Sequence, residues 1–131
     1  PETVGGAIAK AAAETGAIVG AKALVAFTMT GESARRLARY RSSIPLLAFT
    51  AVESTRGQLA LVWGTETFIV PKVDHTDEMV RQVEQGLLEI GRCQKGDRVV
   101  IVGGSPPGTP GSTNALRVHR IGDAIAHAQG T

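Results

Sequence analysis

The chain is poor in cysteine, in aromatic residues and in runs of one charge, and each shortage removes a class of protein. One cysteine, Cys93, leaves no partner for an internal disulfide and suits a reducing cytosol, so we expect a cytoplasmic protein. Aromatics are only 4% of the residues, so the core has to be built from Val, Ile, Leu and Ala. The formal net charge is +2, and Lys and Arg form no block. An aromatic-poor chain without basic runs is a weak candidate for nucleic acid. No stretch approaches the ~20 apolar residues of a membrane span. No charged-apolar-small segment opens the chain as a secretion signal would. The first residue is Pro1 rather than Met, and we read the sequence as an internal piece of a longer protein.

Signature motifs are scarce as well. No Gly-Lys-Ser/Thr follows a glycine at the spacing of a phosphate-binding P-loop, and no G-x-G-x-x-G follows the first strand. His75, His119 and His127 form no ligand-spaced pair with Cys93 or with carboxylates, so no metal is expected. No Ser/His/Asp or Cys/His set lies on loops that converge, so no catalytic residues are expected. Cys93 follows a helix end and reads as small and inert, His119 as a surface or interface residue, and Trp63 as a packing anchor.

What is present is a globular pattern. At 131 residues, with 43% hydrophobic and 20% charged, the chain suits one domain with one aliphatic core. Residues 1–20, within an amino-terminal segment 1–22, read as an Ala-rich helix with Val4, Ile8, Ala12, Thr15 and Val19 at helical spacing. Helices are expected again at Glu32–Tyr40, Ser54–Val62 and Asp77–Gly91; Thr76 or Asp77 could cap the last. In the second helix Ala34, Leu37 and Ala38 would face inward and Arg35, Arg36 and Arg39 outward. Strands are expected at Ala23–Phe27, Leu46–Phe49, Thr67–Val70, Arg98–Val102 and Asn114–Ile121. Continuous apolar strands mean burial on both faces. The pattern predicts an α/β fold, a three-layer α-β-α sandwich with a mostly parallel mixed sheet of about five strands. No helix fits between Val102 and Asn114, so the last strand should be antiparallel or at an edge. Residues 122–131 read as a partly disordered tail.

Two loops then leave carboxyl ends of strands, where such sheets bind ligands. In the first, Thr28, Met29, Thr30, Gly31, Glu32 and Ser33 open a helix, with Thr30 placed as its N-cap and Ser33 at the third helical position. Free amides and hydroxyls there could hold the oxygens of a phosphate monoester. Glu32 argues against a strongly anionic site, and from these six residues alone an ordinary capped helix start is the simpler reading. The second loop, GGSPPGTPGSTN at 103–114, combines glycines that permit unusual φ with prolines that fix it. Its Ser105, Gly108, Thr109, Gly111, Ser112 and Thr113 read as a shaped, ligand-contacting segment.

At this point the residues carry a resemblance. ARRLARYRSSIPLLAFT (34–50), GQLALVWG (57–64) and KGDRVVIVGGSPPGTPGSTNALRVHRIG (95–122) are similar to the carboxyl-terminal domain of the pyruvate kinase family, bacterial in flavour, over nearly the whole chain. Ser42 stands where the family often has Pro. The resemblance implies a parent enzyme that transfers phosphoryl from phosphoenolpyruvate to ADP, with Mg²⁺ and K⁺ in a barrel domain that these residues do not include. It implies that this domain is regulatory. A phosphorylated effector would sit in the loop matching Thr28–Ser33, under the loop matching Gly103–Thr113. It implies a tetramer in which these domains meet across a two-fold axis; in this sequence the last strand, with Arg117 and His119, is the plausible edge for that contact. Relatives that bind fructose 1,6-bisphosphate tend to carry basic residues in the first loop, where Met29 and Glu32 stand here, and an arginine where Met79 stands, with Arg81 two residues on. We therefore expect a monophosphate effector, such as AMP, glucose 6-phosphate or ribose 5-phosphate. Two alternatives stay open: a purely structural assembly domain with a vestigial effector site, and a stand-alone phosphosugar- or nucleotide-binding α/β protein.

Overall fold

A computed structural model describes residues 3–62, 64–104, 113 and 115–124. The first element, helix α1 (Val4–Val19), is set by its ends: the Thr3 hydroxyl accepts from the Gly6 amide, and Gly20 closes it with a left-handed φ of 66°. Its inward stripe is small: Gly5, Ala9, Ala12 and Gly16 are buried. A Cβ on Gly16 would lie 2.8 Å from the Leu24 side chain, so the helix axis lies as near the sheet as backbone allows. Val4, one of the residues at helical spacing in the sequence, is 68% exposed. Close approach selects the small stripe over the branched one.

The remaining elements are β1 (Ala23–Phe27), α2 (Glu32–Ala38), β2 (Leu46–Thr50), α3 (Glu53–Leu59), β3 (Thr65–Ile69), α4 (Thr76–Glu89), β4 (Arg98–Gly103) and β5 (Ala115–Arg120). The sheet order is β3-β2-β1-β4-β5. The first four strands are parallel, and β5 pairs antiparallel to β4, from Arg98↔Arg120 to Gly103↔Ala115. This is the expected mixed sheet. Alternation along the central strands splits the core in two. Ala23, Val25, Phe27, Leu47, Phe49, Val99 and Ile101 pack on one side against Val80, Val83 and Leu87 of α4. Leu24, Ala26, Ala48, Val100 and Val102 pack on the other against Ala9 and Ala12 of α1, Ala34 and Leu37 of α2 and Leu59 of α3.

Several local expectations differ, and α3 ends at Leu59 rather than Val62. The third strand begins at Thr65 and ends before Val70, because the register Leu46↔Thr65 draws the polar start of β3 into the ladder. Helix α2 stops at Ala38 rather than Tyr40. Neither Thr76 nor Asp77 caps α4: His75 occupies the N-cap with extended backbone and no side-chain hydrogen bond. Trp63 and the tail from residue 125 lie outside the described residues. No helix among the described residues is long and apolar enough to cross a membrane.

Candidate functional site: the loop at the sheet reversal

From β1 the chain crosses to β2 on one side, and only after β3 does it return to β4 on the other. The connections therefore diverge between β1 and β4, and such a divergence leaves a crevice at the carboxyl ends. The loop 28–33 leaves β1 and the loop beginning at Gly104 leaves β4, from the paired residues Phe27 and Gly103. A Cβ on Gly103 would stand 2.8 Å from the Phe27 carbonyl oxygen, so this exit tolerates only glycine without displacement.

The first loop is braced from inside. The Thr28 amide donates to the Phe49 carbonyl, and the Thr28 hydroxyl accepts from the Gly31 amide at 2.8 Å. Gly31, with φ 87°, is the N-cap. The expectation that Thr30 caps the helix is therefore corrected, and Ser33 becomes the second helical residue. The left-handed turn, cheap only for glycine, sets the start one residue later. The Thr30 hydroxyl still accepts from the Glu32 amide at 3.3 Å. Of the four amides that a helix start leaves without intrahelical partners, Gly31 and Glu32 are taken by the two threonines. Among the described residues no acceptor is recorded for the Ser33 and Ala34 amides. Met29 and Thr30 lie at the partly open rim of the loop.

Residue Thr113 comes down onto this helix start. The Ser33 and Thr113 hydroxyls are 2.6 Å apart, with Ser33 3% and Thr113 5% exposed. The two loops, 80 residues apart in sequence, therefore meet hydroxyl to hydroxyl. Ser105, Gly108, Thr109, Gly111 and Ser112 lie outside the described residues.

Charge at the rim differs from the sequence expectation. Arg35 and Arg36, read as outward, both fold back. Arg36 binds the Glu32 carboxylate at 2.5 Å and lies over Gly5 of α1. Arg35 donates to the Thr30 carbonyl at 3.1 Å and to Gln58 at 3.3 Å. Glu32 is thus matched by one cation, and a second, Arg35, stands over the loop. Met79, expected from the resemblance to stand where some relatives carry a phosphate-binding arginine, is 5% exposed and belongs to the core cluster under α4. Thr55 of α3 holds the loop from beneath through a 2.7 Å bond to the Met29 carbonyl. Sequence reading missed Arg35 and Thr55. Arg35 follows the cap by a single turn, and that spacing could have marked it; nothing local marks Thr55, whose partner is 26 residues away.

At the far edge, Arg117 is exposed on β5 but His119 is not. The reading of His119 as a surface or interface residue is corrected: it is 4% exposed, with Nε2 2.9 Å from Oε1 of Glu84, itself fully buried on α4. The same Glu84 oxygen accepts from the Gly122 amide at 2.5 Å. A glutamate on the inward stripe of an amphipathic helix, one turn after Val80, is the signal that could have announced this partner. Cys93 is 5% exposed. Burial, then the Asp97 carboxylate, push its thiol above the ordinary value, against a smaller opposing pull from Lys22 and Arg92.

Comparison with known proteins agrees with this architecture. Residues 6–119 match the family model for the pyruvate kinase alpha/beta domain. The chain is 58% identical over 123 residues to pyruvate kinase of Mycobacterium tuberculosis, covering 94% of this chain and 26% of that protein. It is 38% identical over 128 residues to pyruvate kinase of Geobacillus stearothermophilus, covering 98% of this chain and 22% of that one. The solved structure of Cryptosporidium parvum pyruvate kinase in complex with ADP superimposes with a TM-score of 0.82 at 29% identity, over 92% of this chain and 24% of that one. The chain thus spans about a quarter of the length of the curated relatives it matches. With its sheet order, its antiparallel last strand and its sequence in agreement, the chain belongs to the pyruvate kinase family, as the carboxyl-terminal domain of a bacterial member.

Proposed function

We propose that this chain is the regulatory and assembly domain of a cytoplasmic pyruvate kinase, and that it binds a phosphorylated metabolite between the loop 28–33 and Thr113. The parent enzyme would transfer phosphoryl from phosphoenolpyruvate to ADP in glycolysis. That chemistry, with its Mg²⁺ and K⁺, belongs to the barrel domain. The observation that carries the proposal is the Ser33–Thr113 contact at the sheet reversal. It brings a helix start with two amides unpaired among the described residues against Thr113, near the end of the Gly/Pro-rich segment 103–114. An entering phosphate would replace that contact, accept from the Ser33 and Ala34 amides and the two hydroxyls, and face Arg35. A net intramolecular hydrogen bond is worth only about 1 kcal/mol, so a charged acceptor can displace it.

The rim charges favour a single phosphate. Glu32 is spent on Arg36, which leaves Arg35 as the one surplus cation among the described rim residues. Met29 and the buried Met79 offer nothing to a second phosphate. AMP, glucose 6-phosphate and ribose 5-phosphate are the candidates, ahead of fructose 1,6-bisphosphate. Assembly would use the open edge of β5, where Arg117 and the 43% exposed Val118 lie. An effector can act only by binding two states of the assembly unequally.

Thermal melts of the chain with a panel of phosphorylated metabolites test the effector reading. A rise in melting temperature with one or two monophosphates, lost in the Thr30→Ala/Ser33→Ala variant, supports it. No rise with any compound would leave a purely structural assembly domain.

A further inference from the structure

The opposite face of the sheet holds a second feature, independent of the loop site. A cleft of about 340 Å³ runs between α4 and β5, lined by Arg81, Arg117, Arg120, Val118, Asp77 and Asp123 among others. Its geometry follows from topology. Helix α4 leads from parallel β3 to parallel β4, so it runs antiparallel to them and parallel to β5. Residues Asp77, Arg81 and Glu84 recur along one helix face, while Arg117 and His119 share one face of β5. Glu84 meets His119 at 2.9 Å. With the two elements parallel, the preceding pair, Arg81 and Arg117, is brought to the same cleft from opposite walls.

Among the described residues these two guanidiniums have no recorded counter-ion. Arg120 is matched, its Nε and Nη2 donating to Oδ1 of Asp123 at 3.1 and 3.0 Å. Among the described residues, neither Arg81 nor Arg117 makes a hydrogen bond or ion pair. Like charges facing each other across packed elements are unfavourable unless an anion lies between them. The fork of arginine matches the oxygens of phosphate, and a space of this size admits a phosphate with a small organic body. Val80 and Ala124 supply apolar wall for that body. Asp77, also on the wall, opposes more than one dianionic group.

We propose that the α4–β5 cleft is a second anion site of this chain, in which Arg81 and Arg117 clamp one phosphate monoester. It lies on the side of the sheet covered by α4, whereas α2, whose start forms the loop site, packs on the other side, and it would tie the position of α4 to that of the edge strand.

The test is a titration of the isotope-labelled 131-residue chain with inorganic phosphate and then phenyl phosphate, read by amide NMR at ionic strength matched with chloride. The expected result is saturable shifts at residues 77–81 and 115–124, undiminished in the Ser33→Ala variant. Arg81→Gln and Arg117→Gln should each weaken these shifts about tenfold or more, since each removes charge-assisted hydrogen bonds. Asp77→Asn should strengthen them. Both arginines are exposed, and melting of each variant verifies its fold. Shifts that never saturate, that match those given by chloride, or that survive both Arg→Gln changes would overturn the proposal.

Discussion

Two hydroxyls decide the character of the candidate loop site. Ser33 and Thr113 are both buried, so removing one leaves the other without its partner. Ser33→Ala and Thr113→Val should each destabilise the chain by about 1–3 kcal/mol. The double variant should cost clearly less than the sum, because the two share one interaction. Urea unfolding of the three variants measures this, and strict additivity would mean that the pair contributes nothing. Cys93 gives a prediction in pH. Its thiol is raised above the ordinary 9.0, so the folded chain holds that proton more tightly than the unfolded chain does. Stability from this group is therefore fully present below pH 9.0 and is lost as pH rises through the folded value. Urea midpoints above that pH should fall less steeply in Cys93→Ala than in the parent chain. The sequence revealed which short stretch to inspect, since hydroxyls and glycine cluster visibly at 28–33. It did not reveal the brace beneath, because the Thr55–Met29 and Ser33–Thr113 bonds join residues that only the folded sheet brings together.

At the scale of elements, the edge strand β5 is held to α4 by one carboxylate. Glu84 serves His119 and the Gly122 amide with the same oxygen. Glu84→Ala should cost about 1–3 kcal/mol by stranding those groups. Hydrogen exchange should then speed up in β5 well before it does in β1, because β5 has a neighbour on one side only. Equal acceleration in both strands would show that Glu84 serves the whole domain rather than this edge. Helix and strand order was legible because β1, β2 and β4 are continuous apolar runs and α4 has a clear helical period. The start of β3 was not, because Thr65 and Glu66 carry no apolar signal and enter the sheet by register with Leu46 and Leu47. Nor was the buried Glu84–His119 pair: alternation in β5 suggests two equivalent faces, and only the position of α4 tells which is covered.

For the whole molecule, the proposed effector seat lies at one end of the sheet and the proposed assembly edge at its side. The free edge of β5 should bring two copies together, so sedimentation of the chain should show a coefficient that rises with concentration. Val118→Lys, placed at the 43% exposed position on that strand, should abolish the rise. A concentration-independent monomer would assign the contact to the rest of the enzyme. The proposed seat for one phosphate between the loop 28–33 and Thr113 is open to calorimetric titration. AMP, glucose 6-phosphate, ribose 5-phosphate and fructose 1,6-bisphosphate would each be titrated into the parent chain and into Thr30→Ala/Ser33→Ala. One-site binding of a monophosphate, tighter than that of the bisphosphate and lost in the variant, is expected. Tighter binding of fructose 1,6-bisphosphate, or monophosphate binding that the variant leaves unchanged, would contradict it.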